Sequence, residues 1–496
     1  MALRARPRRG LLHTTLGVAW VAACSRAATP LPRDDRSVSV RAPHTAPTRT
    51  METPSPASRA TRPPWPRTLP PAAAVGDGEG RWLRAIIHAH SVQSSDACDT
   101  RPYVDGAPNE PCLQSFRRGL CATKVDVVFL TEHANRLASV RFEESMQLRG
   151  DDEPLRENGA LVGYRIACSD GHRVMVLPGA ENDLMPLALA RHPAPVAGSL
   201  DRAYRSSGSR GARLFREAGA IVALAHPETR SRAQVRAVAP EVIELYNIHA
   251  NVDPAIAGPA LGIDVPALHA DILEFAAPGS ELDPDWGFLA IFRENNRDLE
   301  HWAALAAEGR RVTAIAGSDA HENRFPMVFS DGERGDSYRR FFRWYTNVLR
   351  IEGEPTRRAV LDALVHGRAW AVLDAWGTPE GFSFNAVPER GARALDGDVV
   401  TKTPGLTLRV TAPRVHGLDV SLPAPAVRVR LLRAEREGRW REVAAGTDTI
   451  TYTPSETGAY RAEAMITPHH ARPYLPGMER LIREVPWVYS NAIRVE

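Results

Sequence analysis

A short apolar run ends in two histidines in the stretch Leu83-Arg84-Ala85-Ile86-Ile87-His88-Ala89-His90. A run of this length, rich in Ile, predicts a buried strand. Because residues i and i+2 of a strand point to the same face, His88 and His90 should project together from its end. Two imidazoles that converge on one point favour a metal site. Taken alone, the pair is equally consistent with two unrelated polar residues at the end of a strand.

Four later apolar runs end in the same way, each followed by His, Asp or Glu. The segments that follow them are Thr131-Glu132-His133, Pro178-Gly179-Ala180-Glu181, His226-Pro227 and Gly317-Ser318-Asp319-Ala320-His321. Helical patterns lie between the runs, so residues 81–380 carry the signature of an α/β domain with parallel strands. Such sheets and barrels place their sites at the carboxyl ends of the strands, so the recurrence predicts one shared site.

The pattern changes after about residue 381. Short runs that alternate apolar and polar residues are separated by turn signals, which is typical of a small β-sandwich. Residues 381–496 contain no evident chemical constellation. We therefore expect them to form an accessory domain.

Composition bounds the class of protein. The chain has 496 residues, enough for two or three domains, with 43% hydrophobic and 24% charged residues, as is ordinary for a soluble globular protein. Its formal net charge is +3. This balance is too mild to indicate nucleic-acid binding.

The N-terminus predicts export. Residues 1–24 combine a basic start with a modest apolar segment, and they end in Val21-Ala22-Ala23-Cys24, which resembles a bacterial lipobox. The alternative is an ordinary secretory signal with a chance cysteine. Residues 25–80 are rich in Pro, Arg, Ser and Thr and predict a disordered linker. We expect a protein of the periplasm or outer membrane, attached to the membrane only through a lipid.

Four cysteines remain after Cys24. They are Cys98, Cys112, Cys121 and Cys168. In an exported chain they permit two disulfides with three alternative pairings, of which we favour Cys98–Cys112 with Cys121–Cys168. A cysteine-ligated zinc site is disfavoured, because the chain has no C-x-x-C pair.

Taken in order, the five strand-end motifs resemble those of the PHP (polymerase and histidinol phosphatase) superfamily of metal-dependent phosphoesterases. The resemblance covers residues 81–380 and implies a distorted (β/α)7, TIM-like barrel. One motif departs from the usual Thr-Asp-His, since it reads Thr131-Glu132-His133. The departure affects a residue beside the ligands, so we expect small consequences.

The resemblance also implies a site for two or three divalent ions, with Zn²⁺, Mn²⁺ or Fe²⁺ suited to imidazole and carboxylate ligands. Carried over by position, the ligands are His88, His90, Glu181 and Asp319 for one ion, Glu181, His192 and His226 for a second, and Asp96, His133 and His321 for a third. Asp99 remains an alternative to Asp96, and His192 rests on spacing alone.

Other positions have supporting roles by the same resemblance. Glu132, Glu244 and Asn247 would orient ligands. Arg136 and Arg324 are candidate phosphate contacts by position, equally consistent with plain surface arginines. We interpret the remaining histidines, including His249 and His269, as surface or packing residues.

The implied reaction is hydrolysis of a small-molecule phosphoester by a metal-bound hydroxide held by Glu181, Asp319 and His226. One alternative is amide or ester hydrolysis by the same metal cluster. Another is a non-catalytic, metal-stabilised envelope protein that binds polysaccharide or a partner. Neither the substrate nor the oligomeric state follows from the sequence pattern.

Overall fold

A computed structural model of the chain describes residues 62–496 apart from 77 and 79. The expected signal peptide and the linker up to residue 61 lie outside the described residues. The end of the expected linker differs from the prediction, because Trp65, Leu69 and Val75 are buried. The Trp65 ring lies 4.6 Å from that of Trp286 and 5.6 Å from that of Tyr474. Burial of aromatic surface thus fixes a segment that composition alone marks as unstructured.

The first part of the described chain alternates strands and helices. Its strands, two-residue bridges aside, are β1 (Arg81–Ala89), β2 (Val127–Leu130), β3 (Glu153–Glu157), β4 (Ala160–Ala167), β5 (Arg173–Pro178), β6 (Met185–Leu187), β7 (Ile221–Leu224), β8 (Val242–Asn247), β9 (Thr313–Ala320), β10 (Thr346–Ile351) and β11 (Ala369–Val372). Its longer helices are α1 (Glu110–Ala122), α2 (Gly208–Glu217), α3 (Arg232–Val238), α4 (Pro254–Leu261), α5 (Val265–Ala276), α6 (Asn296–Ala307), α7 (Tyr338–Trp344) and α8 (Arg357–Val365).

The large sheet is built outward from β1. Parallel ladders join β1 to β2 and β9, β2 to β5, β9 to β8, and β8 to β7. Antiparallel ladders add β4 to β5, β6 to β7, and β10 to the first half of β1. The predicted α/β class is therefore confirmed, and the carboxyl ends of the parallel strands meet at one edge.

A closed (β/α)7 barrel is not confirmed, because the ladders between the described strands do not form a ring. The gap lies between β5 and β6, since β6 is a three-residue segment that forms its ladder only with β7. Two backbone hydrogen bonds cross this gap, from Leu189 N to Pro178 O at 2.7 Å and from Ala180 N to Pro186 O at 3.1 Å.

Both faces of the sheet are buried. Alternate residues of β1 enter two different apolar clusters, with Leu83, Ala85 and Ile87 in one and Trp82 and Ile86 in the other. Burial on both sides explains why the strand reads as a continuous apolar run rather than as an alternating one.

The C-terminal part consists of antiparallel strands. They are β12 (Ser383–Val387), β13 (Thr407–Thr411), β14 (Ala426–Glu435), β15 (Arg439–Gly446), β16 (Thr449–Tyr452), β17 (Gly458–Thr467), β18 (Val485–Ser490) and β19 (Ile493–Val495). One sheet contains β12, β13 and β16, and the other strands extend the large sheet through the pairing of β18 with β11. Leu408 of the first sheet and Leu431 of the second share one buried cluster.

The domain boundary expected near residue 381 is not a break in the structure. The ladder between β11 and β18 crosses it, and residues Thr61–Glu496 form one compact unit. The turn signals that predict the strands cannot show which sheet a strand joins.

The favoured disulfide pairing is confirmed, with bonds between Cys98 and Cys112 and between Cys121 and Cys168. The first bond ties the loop after β1 to the start of α1. Within the described residues, no helix is long and apolar enough to cross a membrane.

Candidate metal centre

β1 ends in a distortion that aims two histidines into the protein. The register of β1 shifts before Ala89 in its ladders with both β2 and β9, and His88 has a φ of 67°. A non-glycine residue rarely adopts this left-handed conformation, and such positions concentrate at functional sites. Both His88 and His90 are fully buried.

The two imidazoles converge on two carboxylates. His88 Nε2 lies 3.4 Å from Glu181 Oε2 and 3.2 Å from Asp319 Oδ1. His90 Nε2 lies 3.3 Å from each of the same oxygens. These four atoms all lie within 4.8 Å of one another. This is the group that the sequence motifs assign to the first ion.

The other ring nitrogen of each histidine is already engaged. His88 Nδ1 donates to Glu244 Oε1 at 2.7 Å. His90 Nδ1 donates to Ser94 Oγ at 2.8 Å, because the Ser94 hydroxyl gives its own proton to Glu132 at 2.7 Å. Both Nε2 atoms are buried and have no hydrogen-bond partner. Buried polar atoms in this state need a partner, and a divalent cation suits two imidazoles and two carboxylates.

A second group lies on the far side of His90. His133 Nε2 is 3.4 Å from Asp96 Oδ1, and His321 Nε2 is 3.4 Å from Asp96 Oδ2. Ring nitrogens of His90, His133 and His321 lie within 4.8 Å of one another. His321 Nδ1 donates to the Asp319 carbonyl at 2.7 Å, and its Nε2 is buried without a partner. This second group therefore also suits a cation.

The choice between the two neighbouring aspartates is resolved by ion pairing. Both carboxylate oxygens of Asp99 accept from Arg334 at 2.8 Å, so this side chain faces away from the histidines. Asp96 is the carboxylate that faces them. The Cys98–Cys112 disulfide anchors the loop between the two.

His226 joins the cluster, but His192 does not. His226 Nε2 lies 2.6 Å from Glu181 Oε1. His192 instead bonds through its two nitrogens to the Tyr204 hydroxyl at 2.8 Å and the Val140 carbonyl at 3.0 Å. The prediction of His192 as a ligand is therefore corrected, since spacing after Glu181 does not define the path of an irregular loop.

His249 lies where His192 was expected. Its Nδ1 is 3.7 Å from Asp319 Oδ2, and its ring centroid is 5.6 Å from that of His226. It belongs to the short helix Ile248–Val252, whose first turn is capped by Asn247 Oδ1. Its position in the sequence could have identified His249 as a candidate, because it follows the carboxyl end of β8 as the other candidates follow their strands.

Glu244 holds two of the candidate ligands in place. Besides binding His88, it accepts the backbone N–H of His226 at 2.7 Å and the Asn247 amide at 3.0 Å. Gly317 leaves room for it, because a Cβ at that position would lie 1.7 Å from Glu244 Oε1. Glu244 and Asn247 thus have the orienting positions expected of them.

The pKa shifts within the cluster indicate that it favours positive charge. Burial alone would lower the pKa of His90, but the adjacent carboxylates of Asp319 and Glu181 raise it to about 9. Burial alone would raise the pKa of the Glu181 and Asp319 carboxyls, yet the adjacent imidazoles, His88 foremost, hold both well below their usual range. These shifts favour positive charge between the imidazoles and the carboxylates, which a bound cation would supply.

A cleft of about 250 Å³ opens over the cluster. Arg324 lines it and is exposed, and no carboxylate of the described residues pairs with its guanidinium. Arg136 does not line the cleft, because its guanidinium stacks over the Tyr103 ring at 3.4 Å and donates to Gln93 at 3.0 Å. Of the two predicted phosphate contacts, only Arg324 has the right position.

Comparisons with known proteins leave the family open. No family profile and no curated protein matches this chain. It has a weak likeness to a solved structure from Bacteroides vulgatus, a two-domain protein containing a predicted PHP-like metal-dependent phosphoesterase. The identity is 12% and the TM-score 0.33, over 86% of this chain and 97% of the other. A likeness at this identity and TM-score establishes neither a family nor a function for this chain.

Proposed function

We propose that this chain is a metal-dependent phosphoesterase of the PHP type that hydrolyses small phosphate esters. The observation that carries the proposal is the convergence of His88 Nε2, His90 Nε2, Glu181 Oε2 and Asp319 Oδ1 within 4.8 Å, with both nitrogens buried and unpartnered. The order of the strand-end motifs supports the PHP type. The hydrogen bonds between β5 and β6 support a sheet curled in the manner of the distorted (β/α)7 barrel.

Two or three divalent ions, Zn²⁺, Mn²⁺ or Fe²⁺, fit this set of donors. The residues that would hold them are His88, His90, Glu181 and Asp319 for the first, Asp96, His133 and His321 for the second, and Glu181, His226 and His249 for the third. Such ions, when bound, lower the pKa of a water molecule and neutralise charge that develops on phosphoryl oxygens.

The side chains around the cleft complete the site. Arg324 binds phosphoryl oxygens at the rim, where its planar guanidinium suits two of them. Glu244 and Ser94 hold the imidazoles of His88 and His90 so that Nε2 of each faces the carboxylates of Glu181 and Asp319. The buried carboxylates of Glu181 and Asp319 keep the negative charge that fixes the cations.

The surroundings of the site support an exported protein. Two disulfides are typical of oxidising compartments. We therefore keep the periplasm or outer membrane as the proposed location, with a lipid as the only membrane attachment. The partner is a small-molecule phosphoester, and no nucleic-acid partner is proposed.

Assays of the metal-loaded chain test this function directly. We expect turnover of p-nitrophenyl phosphate that is lost on chelation and restored by Zn²⁺, Mn²⁺ or Fe²⁺. Asp319→Asn should lower kcat at least about 100-fold, because it removes a carboxylate shared by the cluster. Turnover of an amide or carboxyl-ester panel, with none of any phosphate ester, would replace the phosphoesterase assignment by the second hydrolase hypothesis.

A further inference from the structure

Two chemically different groups of side chains line the cleft over the metal centre. The first group is polar and consists of candidate ligands such as Glu181, Asp319 and His226, together with Asn323 and Arg324. The second group is apolar and consists of Ile248, Val252, Phe325 and Phe341, which we call the apolar wall. Ile248 and Phe341 are buried, whereas Val252 and Phe325 are half-buried. The polar groups of a substrate would make no favourable contact with these apolar side chains.

The apolar wall lies on segments that also carry residues of the site. Ile248 and Val252 lie four residues apart on the short helix that also carries His249, so they share one face of it. The backbone N–H groups of Arg324 and Phe325 both donate to Asp336 Oδ2, at 2.7 and 2.9 Å. These bonds hold the backbone of Phe325 in place beside Arg324.

We propose that this apolar wall receives the leaving group, so that the substrates are phosphate monoesters of small apolar or aromatic alcohols. The inference rests on the proposed phosphoesterase function and adds the substrate class. Sugar or polyol hydroxyls placed against Phe325 and Val252 would lose hydrogen bonds to water, and these two side chains offer none in return. An apolar group there is removed from water favourably.

The size of the cleft limits the substrate. Its volume of about 250 Å³ lies below the range of roughly 300–1,000 Å³ that is usual for drug-sized ligands. A phosphoryl group with one small ring or short alkyl chain fits this space. A monoester also leaves terminal phosphoryl oxygens free for Arg324, which lines the same cleft.

The test compares benzyl phosphate with glycerol 1-phosphate, two alkyl monoesters of equal charge. We expect the metal-loaded wild type to favour benzyl phosphate in kcat/KM by about tenfold or more. Phe325→Ser and, independently, Val252→Ser should each reduce this ratio several-fold. Comparing ratios between variants cancels the intrinsic reactivity of the esters. Val328→Ser is the matched control, because Val328 is 63% exposed on the same loop and does not line the cleft.

Binding provides a second readout. Benzylphosphonate should inhibit the wild type more strongly than methylphosphonate, and the two serine variants should narrow that difference while Val328→Ser does not. Both phosphate esters could react while neither serine variant changes the kcat/KM ratio of the esters or the relative inhibition by the two phosphonates. In that case the assignment of the apolar wall is wrong and the phosphoesterase function stands. If no phosphate ester reacts at all, the proposed function itself fails.

Discussion

At the scale of single residues, each buried imidazole depends on a partner that carries no catalytic chemistry. Glu132 accepts from the Ser94 hydroxyl, and this leaves the Ser94 oxygen free to accept from His90 Nδ1 and from the His133 backbone N–H at 3.0 Å. Glu132 therefore determines whether the Ser94 hydroxyl accepts a hydrogen bond from His90. Such partners typically matter for metal affinity nearly as much as the ligands.

Glu132→Gln tests this role. An amide presents a donor where two hydroxyls and a backbone N–H now donate, so the direction of the Ser94 hydrogen bond is lost. We expect metal affinity to fall about 10- to 100-fold, measured by competition with a chelating dye. Glu143→Gln, on an exposed glutamate, is the control. Equal affinities in the two variants would show that Glu132 has no orienting role.

A pair of alanine variants tests the corrected ligand. His249→Ala should lower the metal content or affinity of the site, since its imidazole lies beside Asp319 and His226. His192→Ala should leave metal content unchanged and cost only stability, because both ring nitrogens bond elsewhere. The opposite outcome, with metal lost from the His192 variant alone, would restore the original assignment. Elemental analysis of the two purified proteins is sufficient.

At the scale of elements, the strand ends carry both the ligands and the backbone strain. His88, His226 and Asp319 have φ angles of 67°, 28° and 49°, and each follows or ends a parallel strand. These conformations cost free energy that the surrounding hydrogen bonds must offset. They turn these side chains out of the alternating orientation of a regular strand and toward one common centre.

Gly317→Ala tests the packing between β8 and β9. The added methyl group would occupy the place of Glu244 Oε1, so the carboxylate that orients His88 and His226 must move. We expect a loss of about 1–3 kcal/mol in the free energy of unfolding together with weaker metal binding. Gly150→Ala is the control, because a Cβ there meets nothing within 4 Å. A fully metallated, stable Gly317→Ala protein would contradict the role assigned to Glu244.

At the scale of the whole molecule, the C-terminal strands share a core with the α/β part. A buried aspartate, Asp396, lies in the C-terminal part. Asp396 is 1% exposed, and burial raises its pKa to about 7 despite the nearby Arg350 guanidinium. The folded chain therefore keeps a proton that the unfolded chain, with a pKa of about 4, releases. The free energy of unfolding should accordingly fall as pH rises from about 4 to about 7.

Asp396→Asn should remove this contribution. The amide is neutral at every pH, so the variant should gain stability relative to wild type on going from pH 5 to pH 8, by on the order of 2–4 kcal/mol. Urea unfolding at both pH values measures the difference. Asp105→Asn, on an exposed aspartate, should show no such change. Parallel pH dependences of wild type and Asp396→Asn would show that this carboxyl is ionised in the folded protein.

Features that depend on neighbouring residues in the sequence could be predicted, whereas features that depend on contacts between distant residues could not. Strand ends were predictable, because the apolar runs and the polar residues after them are local, and Glu181 and Asp319 lie where expected. The distortion at His88 was not predictable, since it depends on the registers of two neighbouring strands. The prediction of His192 as a metal ligand was wrong because its loop has no periodic pattern. The packing of Trp65 depends on aromatic residues more than 200 positions away.

The central claim is that buried imidazoles and carboxylates at the strand ends hold divalent ions. Metal content per chain, measured by elemental analysis after reconstitution and desalting, tests it most directly. We predict about two or three ions for the wild type, fewer for His88→Ala, and an unchanged number for His366→Ala. The His366 imidazole lies just after α8 and bonds to the Asp362 carbonyl of that helix. A wild type without bound metal, or a His88→Ala protein with the wild-type content, would contradict the account.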